Sequence, residues 1–352
     1  MARKEIAKAI ALNSIASSIL LTFGGCCSNV FTLESIVHGS RGNIGNIVTF
    51  SQFLFVSLNG LPHFIDTSNP PSFLKRRNVP LRVYVFSVLL FYVGSATNNS
   101  VFMYNVSVPL HIVFRCSATV ITMLLGWLLA GKRYNRPQII SAVLLTLGAG
   151  ITSLYRTEEF SWESLATYSM LRDDISVDWS FFKGVMILTF SSILLSLYSL
   201  FNEWSLRRYG KHWRENIFYT HFLALPFFLL GYKELRNEFQ DLLNDTATTR
   251  VPLLDLHIPR SFLMLAANVV TQHFCVKGVN VLASQTSALN VSILLLIRKF
   301  TSLLLSIYIF GNKLSKTGFV GCILVFTGAL LYSRSTRLTS TPEVIPKVKK
   351  HI

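Results

Sequence analysis

Residues 131–153 read GKRYNRPQIISAVLLTLGAGITS, and residues 311–333 read GNKLSKTGFVGCILVFTGALLYS. The two stretches keep one register: Gly131, Leu144, Gly148, Ala149 and Ser153 are matched by Gly311, Leu324, Gly328, Ala329 and Ser333. Each begins with a short basic turn and continues as an apolar run approaching the roughly 20 residues needed to cross a bilayer as a helix. A duplicated membrane bundle would leave this trace near the end of each half. Shared low-complexity composition among membrane helices is the other explanation of a single matched stretch.

Outward from these stretches the pattern continues. Of 352 residues, 51% are hydrophobic and 14% charged, with a mean hydropathy of +0.46. A soluble domain carries about a quarter charged residues. The apolar blocks around 81–97, 117–130, 185–201 and 317–333 are apolar on all faces rather than amphipathic, which excludes a soluble protein with a large core. The reading is an all-α polytopic membrane protein with ten transmembrane helices, at about 8–30, 44–62, 81–97, 108–130, 137–154, 181–202, 216–232, 258–276, 285–310 and 317–334. The N-terminal MARKEIAKAIALNSIASSILLTFGG has the look of a signal peptide, but its apolar part runs on to Phe31, so it reads as a retained first span. The transmembrane domain is 1–334, followed by a basic tail at 335–352.

The net charge of +16 sits mainly in short loops and termini, which points away from nucleic acid. With both termini cytosolic, most of the 33 lysines and arginines fall on the cytosolic side, as the positive-inside bias requires. The long loops 155–180 and 233–257 fall on the other side and hold most of the acids. Five helices per repeat is an odd number, so a second copy is inverted relative to the first. Repeat one covers about 8–154 and repeat two about 181–334. Inverted repeats are a hallmark of alternating-access transporters, with the substrate near the midplane between them. The five cysteines, Cys26, Cys27, Cys116, Cys275 and Cys322, fit neither a disulfide framework nor a metal pattern and read as small packing residues.

Charges inside spans narrow the ligand. PLHIVFR puts His111 and Arg115 on one face of the fourth span, and SILLLIRKF puts Arg298 and Lys299 in the ninth. A buried charge there costs roughly 2.5–3.5 kcal/mol on insertion scales, so it faces a cavity or a partner. Three cations on corresponding helices, with few acids beside them, suit an anion such as phosphate, which Arg grips bidentately and Lys as a point charge. Snorkelling to headgroups is the structural alternative. Asn268 and Gln272, Asn98 and Asn99, Thr49 and Gln52, and Tyr219 and His221 could read a base or sugar, or could bridge helices. Glu34 and Glu203, at span ends, suit gating or charge pairing, or simple capping. No HExxH, GxSxG, CxxC or Gly-rich phosphate loop occurs, so nothing points to catalysis, a metal or a cofactor.

The strings CCSNVFTLE (26–34), TFSQF (49–53), NN (98–99), PLHIVFR (109–115), YGKHWRE (209–215), FYTH (218–221) and RKF before SLLLSIYIFGN (302–312) resemble endomembrane nucleotide-sugar transporters. Within that family the likeness is to the branch of fungal UDP-N-acetylglucosamine and animal UDP-xylose/UDP-N-acetylglucosamine carriers, from about residue 5 to 335. The resemblance implies the ten-helix drug/metabolite transporter fold and exchange of cytosolic UDP-sugar for lumenal UMP. It also implies that Arg298 and Lys299 meet the phosphates, with Arg115 in a similar role. The FYNN and GALNK signatures of related GDP-mannose carriers are not intact here, where FYTH and LLIRKF stand instead, in keeping with a uridine ligand. UDP-xylose, UDP-glucuronate or a plain nucleotide remains an alternative cargo, and an intramembrane transferase the alternative of a different class.

The final KKHI places Lys349 and Lys350 as in the di-lysine signal that coat proteins read to return membrane proteins from the Golgi to the endoplasmic reticulum. An accidental basic end is the other reading. The expected address is thus the endoplasmic reticulum membrane, with cycling through the Golgi compatible. Of the sequons at Asn105 and Asn244, the latter stands clear of the membrane and is the glycosylation candidate. A homodimer is compatible with the sequence.

Overall fold

The computed structural model describes residues 2–39, 44–66, 68, 73–100, 108–154, 179–243, 248–251, 256–310 and 315–338. Helices dominate: α1 (Ala2–Gly39), α2 (Gly45–Phe64), α3 (Leu81–Ser100), α4 (Val108–Ala130), α5 (Arg136–Leu154), α6 (Trp179–Tyr209), α7 (Trp213–Phe222), α8 (Tyr232–Leu243), α9 (Arg260–Gln285), α10 (Ala288–Phe310) and α11 (Lys316–Leu338). Stretches of α1, α3, α6 and α9 (Ile15–Leu33, Leu81–Asn98, Phe182–Tyr209 and Arg260–Gln285) are long and apolar enough to cross a membrane. In hydrocarbon every backbone N–H and C=O must be satisfied internally, which is why such segments are helical.

Local chemistry sets the ends. At the start of α5 the Gln138 amide N–H donates to Asn135 Oδ1 (3.0 Å) and the Asn135 N–H to Gln138 Oε1 (3.1 Å), a reciprocal cap written in the sequence as NRPQ. Gly131 closes α4 at φ +61°, a conformation that Cβ-bearing residues rarely adopt. The structure departs from the sequence reading in several places. The first helix runs on to Gly39, the sixth to Tyr209 and the eighth expected span, α9, to Gln285. The seventh span, expected as one helix over 216–232, stops at Phe222 and resumes as a 3-10 segment, Leu225–Gly231, because Pro226 has no N–H to continue the ladder. The stretch expected as a loop from 233 contains α8, then a hairpin of β1 (Thr248–Val251) and β2 (Leu256–Pro259), antiparallel with Thr248 opposite Pro259.

Several of the helix contacts come in matching pairs. α1 packs on α9 as α6 packs on α3; α9 meets α2 as α3 meets α7; α4 meets α6 as α10 meets α1. The pairs α2–α7, α4–α10 and α5–α11 map onto themselves when α1–α5 are exchanged with α6, α7, α9, α10 and α11.

The α5–α11 pair brings the two matched stretches of the sequence against each other. Leu145, Ala149, Cys322 and Val325 are buried there, and a Cβ on Gly148 would lie 2.7 Å from the Gly321 carbonyl and 2.8 Å from the Val325 N–H. Backbone cannot give way as a side-chain tip can. Gly148→Val is therefore expected to force the helices apart, with most of the protein lost from the folded peak in gel filtration.

The α1–α9 crossing is equally close: a Cβ on Gly25 would lie 2.6 Å from the Cys275 N–H. Here the reading of the cysteines is corrected, since Cys26 and Cys275 form a disulfide with Cα atoms 4.6 Å apart. Close helix approach brings together residues 249 positions apart. Cys322 is a packing residue as read, and the side chain of Cys116 lies outside the described residues. Cys26→Ser is expected to lower stability by about 2–4 kcal/mol, seen as a lower unfolding temperature in detergent. Reductant should reproduce the drop in the wild type and not in the variant.

Candidate functional site

Most of the polar groups singled out in the spans lie on the described elements, but not in one cavity. α10 buries Leu289, Ile293, Leu296 and Phe300 against α4, α5 and α11. On a helix turning about 100° per residue, Arg298 lies roughly opposite that stripe, toward the rest of the bundle, and Lys299 lies on the flank. Arg298 is half-buried and Lys299 exposed. His111 and Arg115 fall on α4, and Asn99 and Glu34 on α3 and α1, but their side chains lie outside the described residues. Asn244, Lys349 and Lys350 lie outside them altogether.

Asn268 is fully buried on α9 and spends its whole amide on other helices. Its Nδ2 donates to the Asn29 carbonyl and Thr32 Oγ1 on α1, both at 3.1 Å, while its Oδ1 accepts from Gln52 Nε2 of α2 at 2.7 Å. Asn29 Nδ2 donates back to the Asn268 carbonyl at 3.0 Å. This is a three-helix bridge. Gln272 is half-buried one turn further along, and Thr49 donates within its own helix to the Gly45 carbonyl. Asn98 is buried in the last turn of α3. Tyr219 is buried on α7, stacked on Tyr84 of α3 with ring centroids 5.1 Å apart, and the Arg77 guanidinium lies 5.9 Å from its ring. His221 lies 4.6 Å from the ring of Phe53, in an aromatic group that continues to Phe91, Phe228 and Tyr198.

Three buried carboxylates hold helix starts. Glu203 accepts from the Ala288 N–H at the start of α10 (2.7 Å). Glu238 of α8 accepts from the Ile47 N–H in α2 (2.7 Å), and Glu215 from the Asn78 and Val79 N–H groups just before α3 (both 3.1 Å). Each puts negative charge on the positive end of a helix. Glu203 does more: Lys132 Nζ lies 2.6 Å from one oxygen and Arg207 Nη2 2.9 Å from the other. It joins the α4–α5 turn to α6 and α10.

Around that cluster opens a cavity of about 860 Å3, at the ends of α4, α6, α10 and α11 that the charge bias assigns to the cytosol. It is large enough for a nucleotide sugar. Lys132, Arg133 and Arg207 supply cations, Trp204, Tyr134 and Tyr332 aromatic faces, and Asn290 an amide. Tyr332 donates to Asn290 Oδ1. Burial, then Glu203, pushes the Tyr134 phenol up to about 12, so it remains a donor. Arg298 does not line this cavity; it lies about 12 Å further along α10 from Asn290. Of the lining, the sequence reading singled out Glu203 alone. Lys132 and Arg133 registered only as orientation markers; Asn290 stands in SALNV (287–291), which keeps the ALN of the GALNK signature and could have marked it, while nothing local marks Tyr332.

The comparisons with known proteins agree with one another. Residues 14–336 match the UAA transporter family. Over 322 residues the chain is 49% identical to the UDP-N-acetylglucosamine transporter of Kluyveromyces lactis, 92% of this chain and 97% of that protein. It is 49% identical to the Saccharomyces cerevisiae protein of the same description, over 89% of this chain and 92% of that one. To the UDP-xylose and UDP-N-acetylglucosamine transporter of Danio rerio it is 34% identical, over 90% of this chain and 92% of that one. A crystal structure of a protein only 14% identical covers 92% of this chain and 99% of its own with a TM-score of 0.61, which speaks to the fold alone. A helical membrane protein matched almost end to end in this way is a transporter and not an enzyme, and the chain belongs to the UAA transporter family of nucleotide-sugar transporters.

Proposed function

We propose that this protein is an endoplasmic reticulum antiporter that carries UDP-N-acetylglucosamine from the cytosol into the lumen in exchange for UMP. The observation that carries the cargo is the 49% identity, over 92% of the chain, to a fungal transporter of that sugar nucleotide. The exchangeable pattern of helix contacts supports two inverted five-helix repeats, with α7 and its 3-10 continuation forming the seventh span. Such a bundle moves substrate by rocking one repeat against the other around a central site.

Arg298, turned toward the bundle, and Lys299 beside it grip the pyrophosphate, with Arg115 of α4 in a similar role. Gln272, Asn98 and Tyr219 are the groups for uracil and sugar. Asn268 and Gln52 act through the bridge that fixes α1, α2 and α9. An empty cationic cavity closes poorly because desolvated like charges repel. A bound UDP-sugar or UMP neutralises them, so each crossing needs a passenger. The cytosolic cavity around Glu203 is the vestibule through which the nucleotide enters.

The test is uptake of radiolabelled UDP-N-acetylglucosamine into proteoliposomes preloaded with UMP, beside vesicles without it. Stimulation by internal UMP is expected, and equal uptake in both refutes antiport. The zebrafish relative gives a second cargo, UDP-xylose. It is expected to compete more weakly than UDP-N-acetylglucosamine in the same vesicles; stronger competition reverses the assignment.

A further inference from the structure

A second cleft, of about 260 Å3, lies between α2, α7 and α9, and none of the residues assigned to substrate lines it. Its polar groups stand on two ladders, each one turn long: Asn59 and His63 on α2, His273 and Lys277 on α9. Arg214 joins them from the first turn of α7, over an apolar floor of Val56, Ile217 and Phe218. An adjoining cleft of about 210 Å3 shares His63, Trp213 and Arg214 and adds Lys211 and His212. The carboxylate lining it, Glu215, is committed to Asn78 and Val79. Among the described residues no carboxylate pairs with His63, Arg214 or Lys277, and His273 Nδ1 is buried with no hydrogen-bond partner.

The helix geometry gives the direction in which this cleft lies. α9 meets α1 through Cys275 and Gly278 and meets α7 through Asn280, whose Oδ1 accepts from Asn216 at 2.8 Å. Its exposed side is Leu263, Val270 and Phe274, apolar residues that in a membrane face lipid. At about 100° per residue, His273 and Lys277 fall between the α7 side and the lipid side, whereas Gln272 falls on the flank toward the bundle interior. Lys277 stands just past the expected cytosolic end of its span, 258–276, where a lysine can snorkel to the headgroups.

We propose that this cleft binds the phosphate-bearing headgroup of an anionic phospholipid of the cytosolic leaflet. Three helices each bring a cation or an imidazole to one place beside lipid, with no acid among the described residues to neutralise them, and the floor suits the start of an acyl chain. Attraction of cytosolic basic residues to anionic lipid is a general surface effect. Convergence on a cleft with an unsatisfied imidazole makes it a site.

The full-length protein is purified from vesicles of phosphatidylcholine with phosphatidylinositol, and retained lipid is counted by native mass spectrometry. The wild type is expected to retain phosphatidylinositol over phosphatidylcholine. The Arg214→Gln/Lys277→Gln protein should lose roughly tenfold or more of that retention, the value of two charges near the surface. Lys75→Gln/Arg76→Gln, on the neighbouring cytosolic turn, should keep it. Arg214→Lys/Lys277→Arg should restore it, which separates charge from misfolding. Equal loss in the two glutamine variants would mean diffuse surface charge and overturn the site, as would absence of preference in the wild type. Displacement of the lipid by inorganic phosphate or UMP would make the cleft a soluble-anion site and also overturn it. The readout is bound lipid, so it stands or falls separately from the cargo assay.

Discussion

UDP-N-acetylglucosamine exchange is expected to fall at least about a hundredfold when Arg298 is replaced by alanine. A bidentate, charge-assisted grip on phosphate contributes about 3 kcal/mol at the upper end of such interactions, and the repulsion that couples closure to occupancy is lost with it. Arg298 lies opposite the stripe of α10 that packs on α5 and α11, so its removal leaves that core, from Leu289 to Phe300, untouched. Folding, judged by gel filtration, should be unchanged. Lys299→Ala is expected to abolish exchange as well. Because Lys299 is exposed on the flank of α10, the pair of variants divides the roles. Preserved exchange in Lys299→Ala would give that lysine to the headgroups, and preserved exchange in both would remove the phosphate grip from α10.

Glu203→Gln is expected to cost about 2–3 kcal/mol of stability and to slow transport further than that loss explains. The carboxylate is 5% exposed and neutralises two cations while receiving the first N–H of α10. The amide can accept from Ala288 but leaves Lys132 and Arg207 crowded at one end of the cavity without a counter-charge. Breaking a fully buried pair costs about 3–5 kcal/mol. Lys132 is 24% and Arg207 54% exposed, so water screens part of it. The unfolding temperature in detergent reads the first effect, and the uptake rate at matched folded protein reads the second. An unchanged uptake rate would leave Glu203 a purely structural cap. Glu203→Asp, too short to reach all three partners, should fall between glutamine and the wild type.

Much of the fold was legible because the signal is local. An apolar block without charges forms a helix in lipid wherever it stands, so α1–α6 and α9–α11 fall near their expected positions. The NRPQ cap and the glycine closing α4 are equally local. The seventh span shows the limit of composition: hydropathy continues smoothly through 216–232, while the backbone breaks at a proline whose missing N–H no hydropathy value records. α8 was read as loop because its apolar residues are few. Glu238 and Leu242 are buried only because α8 folds back, with Glu238 holding the start of α2.

The candidate site divides in the same way. The charged pair Arg298–Lys299 stood out by itself, since a cation within an apolar run is costly wherever the run packs. The sequence by itself determined the class of protein, a helical membrane transporter, and its family, through composition and motifs read a few residues at a time. What it could not carry were relations between residues far apart. Cys26 meets Cys275, Asn268 closes on Asn29 and Gln52, and Glu203 gathers Lys132 and Ala288 only once the helices cross. Whether a polar side chain bridges helices or faces a cavity depends on the turn of its helix and the neighbour it meets. Those are properties of packing, and the tertiary structure alone decided them.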